Sequence, residues 1–153
     1  MERNKKGKID MRKFNNVINS LLVGDRVVVP KSSIRWVQHH AIYLGHENGH
    51  HWFIENKEGI GVRVVTAEQF FAGVLQVTRV ERFIPKHNYS RQDLVQFALS
   101  KRGKSYKLFN YNCESFANHV QHGVAKSKQA QTGIGIGIAA LLIGVFAVPF
   151  MRR

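Results

Sequence analysis

Residues 37–56, VQHHAIYLGHENGHHWFIEN, read as two strands joined by one tight turn. VQHHAIYLG (37–45) and HHWFIEN (50–56) carry the aromatic and β-branched residues that suit a pleated sheet. Between them, Asn48-Gly49 is the dipeptide favoured by a two-residue type I′ turn, in which both central residues take positive φ. A regular hairpin with that turn pairs Glu47 with His50, Leu44 with Phe53 and Ile42 with Glu55. The hairpin makes antiparallel sheet the frame of the fold, and its neighbours extend it. RVVVP (26–30) is a strand stopped by Pro30, and GVRVVT (61–66) and VLQVTRVERF (74–83) continue the β pattern. AEQFFAG (67–73) is a helical turn between the last two.

Helices flank this sheet. Phe14, Val17, Ile18 and Leu21 recur at helical spacing, which predicts a short amphipathic helix within Met11 to Leu22. Ser90 opens another helix with Asp93 as its capping-box partner, and Gly103 closes it. A further helix begins near Asn112 and stops at Gly123. Sheet and helices together predict an α+β fold class.

The chain has 153 residues and 44% hydrophobic composition, enough for one domain with a real core. Its 23 Lys and Arg outnumber 10 Asp and Glu, a formal charge of +13 that favours an anionic partner, nucleic acid or an acidic membrane surface. Residues 133–151, GIGIGIAALLIGVFAVPFM, contain no charge and are followed by Arg152 and Arg153. As a helix this run is about 28 Å long, close to the hydrocarbon thickness of a bilayer. It is therefore expected to be a membrane segment, and the basic charge then has its outlet at the lipid surface rather than on nucleic acid. The basic opening lacks the apolar core of a secretory signal, so the expected topology is a single-pass C-terminal anchor with the domain facing the cytosol. The organisation expected is a basic segment with a short helix over 1–22, a catalytic domain over 23–125, a linker over 126–132 and the membrane segment over 133–151.

Cys113 is the only cysteine, so no internal disulfide forms. Asn112 is a good N-cap residue and sets Cys113 in the first turn of its helix. Free amides and the helix dipole at that place favour the thiolate, the nucleophilic form. A lone cysteine is otherwise commonly a small buried hydrophobe. What separates the two readings is a base. Of eight histidines, His39 and His40 enter an apolar strand, where an imidazole needs a hydrogen-bonding role to offset its desolvation. His46, His50 and His51 straddle the turn without defined ligand spacing, so no metal and no cofactor is expected.

HHAIYLG (39–45) followed by NCESFA (112–117) resembles the H-box and NC motifs of the lecithin:retinol acyltransferase-like family, and within it the HRAS-like suppressor phospholipases and acyltransferases. GDRVVV (24–29), DLVQFALSKRGKSY (93–106) and HGVAKS (122–127) are similar to its first strand, to the helix before its cysteine and to the stretch that follows. The resemblance implies a permuted papain-like fold, with Cys113 as nucleophile and His39 as general base; His40 stands where relatives carry Trp or Tyr. It implies phospholipase A1/A2 and acyltransferase chemistry on glycerophospholipid esters through an acyl-thioester, with membrane as partner and retinol as a lesser acceptor. Ser115 replaces a His common in relatives. Their second His also lacks an obvious counterpart. Hairpin register assigns that position to Glu55, which would orient the base, with Asn56 and His51 as alternatives. Asn112 supports the helix cap and the oxyanion site. The alternative reading is a catalytically inactive, membrane-associated regulatory module with a protein partner, like the picornaviral proteins that share these motifs.

Overall fold

Strand alternation and the Asn48-Gly49 turn build the centre of the molecule. A computed structural model describes residues 11–31 and 37–128, and the 133–151 run lies outside those residues. Strands β1 (Arg26–Pro30), β2 (Gln38–Glu47), β3 (His50–Lys57), β4 (Gly61–Thr66) and β5 (Arg79–Glu81) form one five-stranded sheet in the order β4-β3-β2-β1-β5. All of its pairings are antiparallel. Asn48 (φ 52°) and Gly49 (φ 78°) both sit at positive φ, as the type I′ turn requires.

The register departs from a regular hairpin. Glu47 pairs with His50 and Gly45 with Trp52, but Tyr43 pairs with Phe53, leaving Leu44 as the extra residue of a β-bulge. Ile42 therefore faces Ile54, and Glu55 lies opposite Ala41 rather than Ile42. Gly45, at φ 128°, takes a conformation that residues with a Cβ rarely adopt, and this lets the strand absorb the bulge.

Each face of the sheet has its own core. Helix α1 (Arg12–Asn19) and the single turn α2 (Ala67–Phe70) cover one face, where Phe14, Ile18, Val27, Val29, Ala41, Tyr43, Phe53, Val65, Phe70 and Phe71 pack together. Helices α3 (Arg91–Leu99) and α4 (Cys113–His122) cover the other, closing over Ile42, Ile54, Val62, Phe83, Leu94, Ala98, Phe116 and Val120. The Ser90 capping box with Asp93 forms as its sequence predicts. Strand β5 is shorter than the β pattern of 74–83 predicts. Val74 and Val77 instead pack against the α1 and α2 cluster, and only Arg79–Glu81 pairs with β1. Among the described residues no helix is long and apolar enough to cross a membrane.

Candidate active site

Helix α4 begins as its sequence predicts. The Asn112 side-chain oxygen accepts the Ser115 amide at 2.9 Å, and Cys113 opens the helix. Gly123 at φ 74° ends it, with its amide bonded to the His119 carbonyl. Asn112 is held in turn, because its side-chain nitrogen donates to the Leu108 carbonyl at 2.9 Å and to Ser127 Oγ at 3.1 Å. Cys113 Sγ lies 3.5 Å from the Gln38 carbonyl at the start of β2, so the nucleophile helix meets the strand that carries His39.

His39 is half-buried and bonded on both sides. Its Nε2 stands 2.5 Å from Glu55 Oε2, which leaves Nδ1 for the hydrogen bond to Cys113. Burial alone would lower the pKa of this imidazole. The bonds to Cys113 and Glu55 outweigh that and raise it to about 9, so the ring is a stable imidazolium at neutral pH. Glu55 feels the opposite pull. Burial opposes its charge, but His39 and Arg63 hold its carboxylate below the usual range. Arg63 grips Glu55 Oε1 through Nε at 2.8 Å and through Nη2 at 2.7 Å. The result is a line of four side chains, Arg63, Glu55, His39 and Cys113, drawn from β4, β3, β2 and α4.

The bulge at Leu44 makes this line possible. Side chains alternate along a strand, so a slip of one residue exchanges the two faces. In a regular hairpin Glu55 would share the face of Ile42 and His40, away from His39. With Leu44 bulged, Glu55 stands opposite Ala41 and shares its face with His39 two residues on. The sequence expectation reached Glu55 by pairing it with Ile42, and that pairing is corrected here.

The alternatives lie elsewhere. Asn56 points to the other face, where its side-chain nitrogen donates to the Tyr111 carbonyl at 2.6 Å. His51 Nδ1 sits 2.8 Å from the Tyr43 hydroxyl, two residues beyond the bulge. His40 is fully buried, and burial beside Arg26 and Arg79 lowers its pKa to about 3, which keeps it neutral.

A cleft of about 410 Å³ opens beside the sulfur. Val29, Pro30, Ala72 and Val74 give it apolar wall, and Lys31, Lys57, Glu58 and Tyr106 give it polar rim. Burial, together with the charges of Cys113 and Glu58, pushes the pKa of the Tyr106 phenol at the cleft up to about 12, so it stays protonated. Arg63 and Tyr106 were not anticipated from sequence. Arg63 was accessible in principle, since β4 register sets it directly opposite Glu55.

This arrangement suits nucleophilic acyl chemistry: a thiol, an imidazole to move its proton, a carboxylate to fix the imidazole, and the start of a helix nearby, where backbone amides point toward an incoming anion. The family model for permuted papain-like amidase enzymes, the YaeF/YiiX or C92 family, matches residues 12–143. No curated protein matches the chain. The H-box and NC resemblance points to the same permuted papain-like fold. In papain-like enzymes the cysteine stands far upstream of the histidine in sequence. Here the histidine strand comes at residue 39 and the nucleophile helix at residue 113, the reversed order that a permutation produces. By fold, by this order and by a match that spans both motifs, the chain belongs to the C92 family of permuted papain-like amidases, cysteine-based hydrolases.

Proposed function

We propose that the protein is a thiol acyl hydrolase and acyltransferase that acts on membrane lipids, glycerophospholipid esters foremost, through a thioester on Cys113. The observation that carries this reading is the hydrogen-bonded line from Cys113 through His39 to Glu55 at the floor of an open cleft. Cys113 Sγ attacks the ester carbonyl, and its proton resides on His39. The oxyanion that forms is met by amides of the first turn of α4. His39 then gives its proton to the departing alcohol oxygen as the carbon–oxygen bond breaks, leaving an acyl-thioester. In the second half His39 takes a proton from water, or from an amine or alcohol acceptor, which attacks the thioester. Free fatty acid or a transferred acyl product leaves, and the thiol is restored.

Lipid is favoured as substrate by the apolar wall of the cleft and by the charge-free run at 133–151, read as a membrane anchor. Anchoring raises the effective concentration of an ester that resides in the bilayer. A second reading follows from the family description: the same machinery cleaves an acyl amide, with nitrogen as the leaving atom. The test is incubation of the full chain with phosphatidylcholine vesicles and, separately, with a long-chain N-acyl amine, followed by mass spectrometry of Cys113. An acyl adduct from the ester supports the lipid-ester reading, and an adduct from the amide alone replaces it with the amidase reading. No adduct from either, with His39 and Cys113 intact, would leave the protein a binding module. Cys113→Ala should abolish turnover while leaving the domain folded.

A further inference from the structure

Between Tyr106 in the cleft and Cys113 runs a short turn with an unusual surface. Leu108 and Phe109 are 54% and 58% exposed at its tip. The turn is preformed, because Lys107 and Tyr111 exchange both backbone hydrogen bonds, at 3.1 and 2.8 Å. An apolar tip held this firmly cannot fold back to hide its side chains. The stretch itself carries charge of one sign, since Lys101, Arg102, Lys104 and Lys107 lie in residues 101–112 and no acidic residue does; the nearby carboxylates are Glu114, which accepts from Ser127 Oγ, and Glu58 at the cleft rim.

Residues 126–128, the last that are described, lie beside the same anchor. Asn112 Nδ2 bonds both the Leu108 carbonyl and Ser127 Oγ, so the turn and the start of the linker share one anchor. Asn118 Nδ2 also holds the Lys126 carbonyl at 2.5 Å. Exposed Lys126 and Lys128 thus add to the same basic field, and the apolar run begins five residues after Lys128.

From this we infer that the 107–111 turn is a membrane-docking element, which inserts Leu108 and Phe109 into an anionic phospholipid surface and brings the mouth of the Cys113 cleft onto the bilayer. Apolar side chains ringed by lysines are what such a surface accepts: the tips enter the acyl boundary and the ammonium groups remain among the phosphates. The use of this contact rests on the lipid reading above, since a cleft facing the bilayer receives an acyl chain without its crossing water. The surface itself rests on exposure, charge and the place of the linker.

The test uses the full chain in a Cys113→Ser background, where no other thiol exists, with Phe109→Cys carrying an environment-sensitive fluorophore. A control variant carries the same label at Ile84→Cys. Ile84 is 78% exposed and follows β5 near the end of β1 remote from the cleft. With vesicles of phosphatidylcholine and phosphatidylglycerol, the label at 109 should shift to the blue and be quenched by brominated acyl chains, and the label at 84 should not. Equal water exposure at both positions overturns the inference. So does a blue shift at 109 before vesicles are added, which assigns the turn to the chain's own 133–151 run if it is independent of protein concentration and to a second copy if it is not. Because this readout needs no turnover, it stands apart from the acyl-adduct experiment. In otherwise unaltered protein, Leu108→Ser with Phe109→Ser should lower turnover of vesicle lipid about tenfold while leaving a soluble short-chain ester unaffected. Equal loss on both substrates places the turn in the chemistry rather than in docking.

Discussion

Glu55 carries its charge in a buried site only because two cations share it, His39 on one oxygen and Arg63 on the other. Arg63 is thus a positioning residue: it touches nothing that reacts but sets the carboxylate that sets the base. Arg63→Gln should lower kcat about 10–100-fold, the rate equivalent of the ~1.5–3 kcal/mol carried by a charged hydrogen bond. Arg63→Lys should recover part of the loss, and KM should change little. The pH dependence follows from His39. Its imidazolium is stabilised on folding, so its contribution is full below the ordinary histidine range and is lost as pH rises through about 9. Melting temperature should therefore decline on the alkaline side, and in Cys113→Ala that decline should move to lower pH because one of the two bonds that raise His39 is gone. An identical profile in both proteins would contradict the sulfur–imidazole contact. Glu55 acts in the opposite sense, contributing above the usual carboxylate range and losing its effect as acid protonates it. The meeting of Cys113 with His39 was expected from the resemblance to the H-box and NC motifs, since the helix cap alone left the thiol's role open and the strand alone did not separate His39 from His40. Arg63 was not, because its meaning depends on which residue of a neighbouring strand it faces.

At the level of elements, one unpaired residue in β2 decides whether the site exists. A bulge is a register change without a reliable local signature, so the hairpin was readable as a hairpin while its phase was not. The turn at Asn48-Gly49, the capping box at Ser90 and the cap at Asn112 were all written in short-range chemistry, and each formed where it was read. Strand β5 was overread because valines that serve a sheet serve equally well in a loop packed on a core. Gly45 tests the bulge. No heavy atom lies closer than 3.4 Å to a Cβ added there, so Gly45→Ala meets backbone strain rather than a clash. The substitution should cost about 1–2 kcal/mol in urea unfolding. It should also reduce turnover more than that loss explains, because a relaxed bulge lets Glu55 drift off the face of His39.

Across the whole molecule, a net charge of +13 and a preformed apolar turn bear on the proposed docking, because positive charge steers a chain toward an anionic surface before contact. The association rate with vesicles containing phosphatidylglycerol should fall steeply as ionic strength is raised, and neutral phosphatidylcholine vesicles should show little of that dependence in stopped-flow mixing. Steering and site are separable in the structure, because the far end of the β2–β3 hairpin takes no part in either. Residues 46–51 do not line the cleft, and the strand phase that matters is reset on the near side of Gly45. The bulge thus acts as a firebreak for strand phase, and changes of length beyond it bear on the core through the His51–Tyr43 contact rather than through register. An epitope or a reporter domain spliced between Gly45 and Trp52 should leave the enzyme working, which makes this hairpin tip the natural handle for following the protein in a living cell.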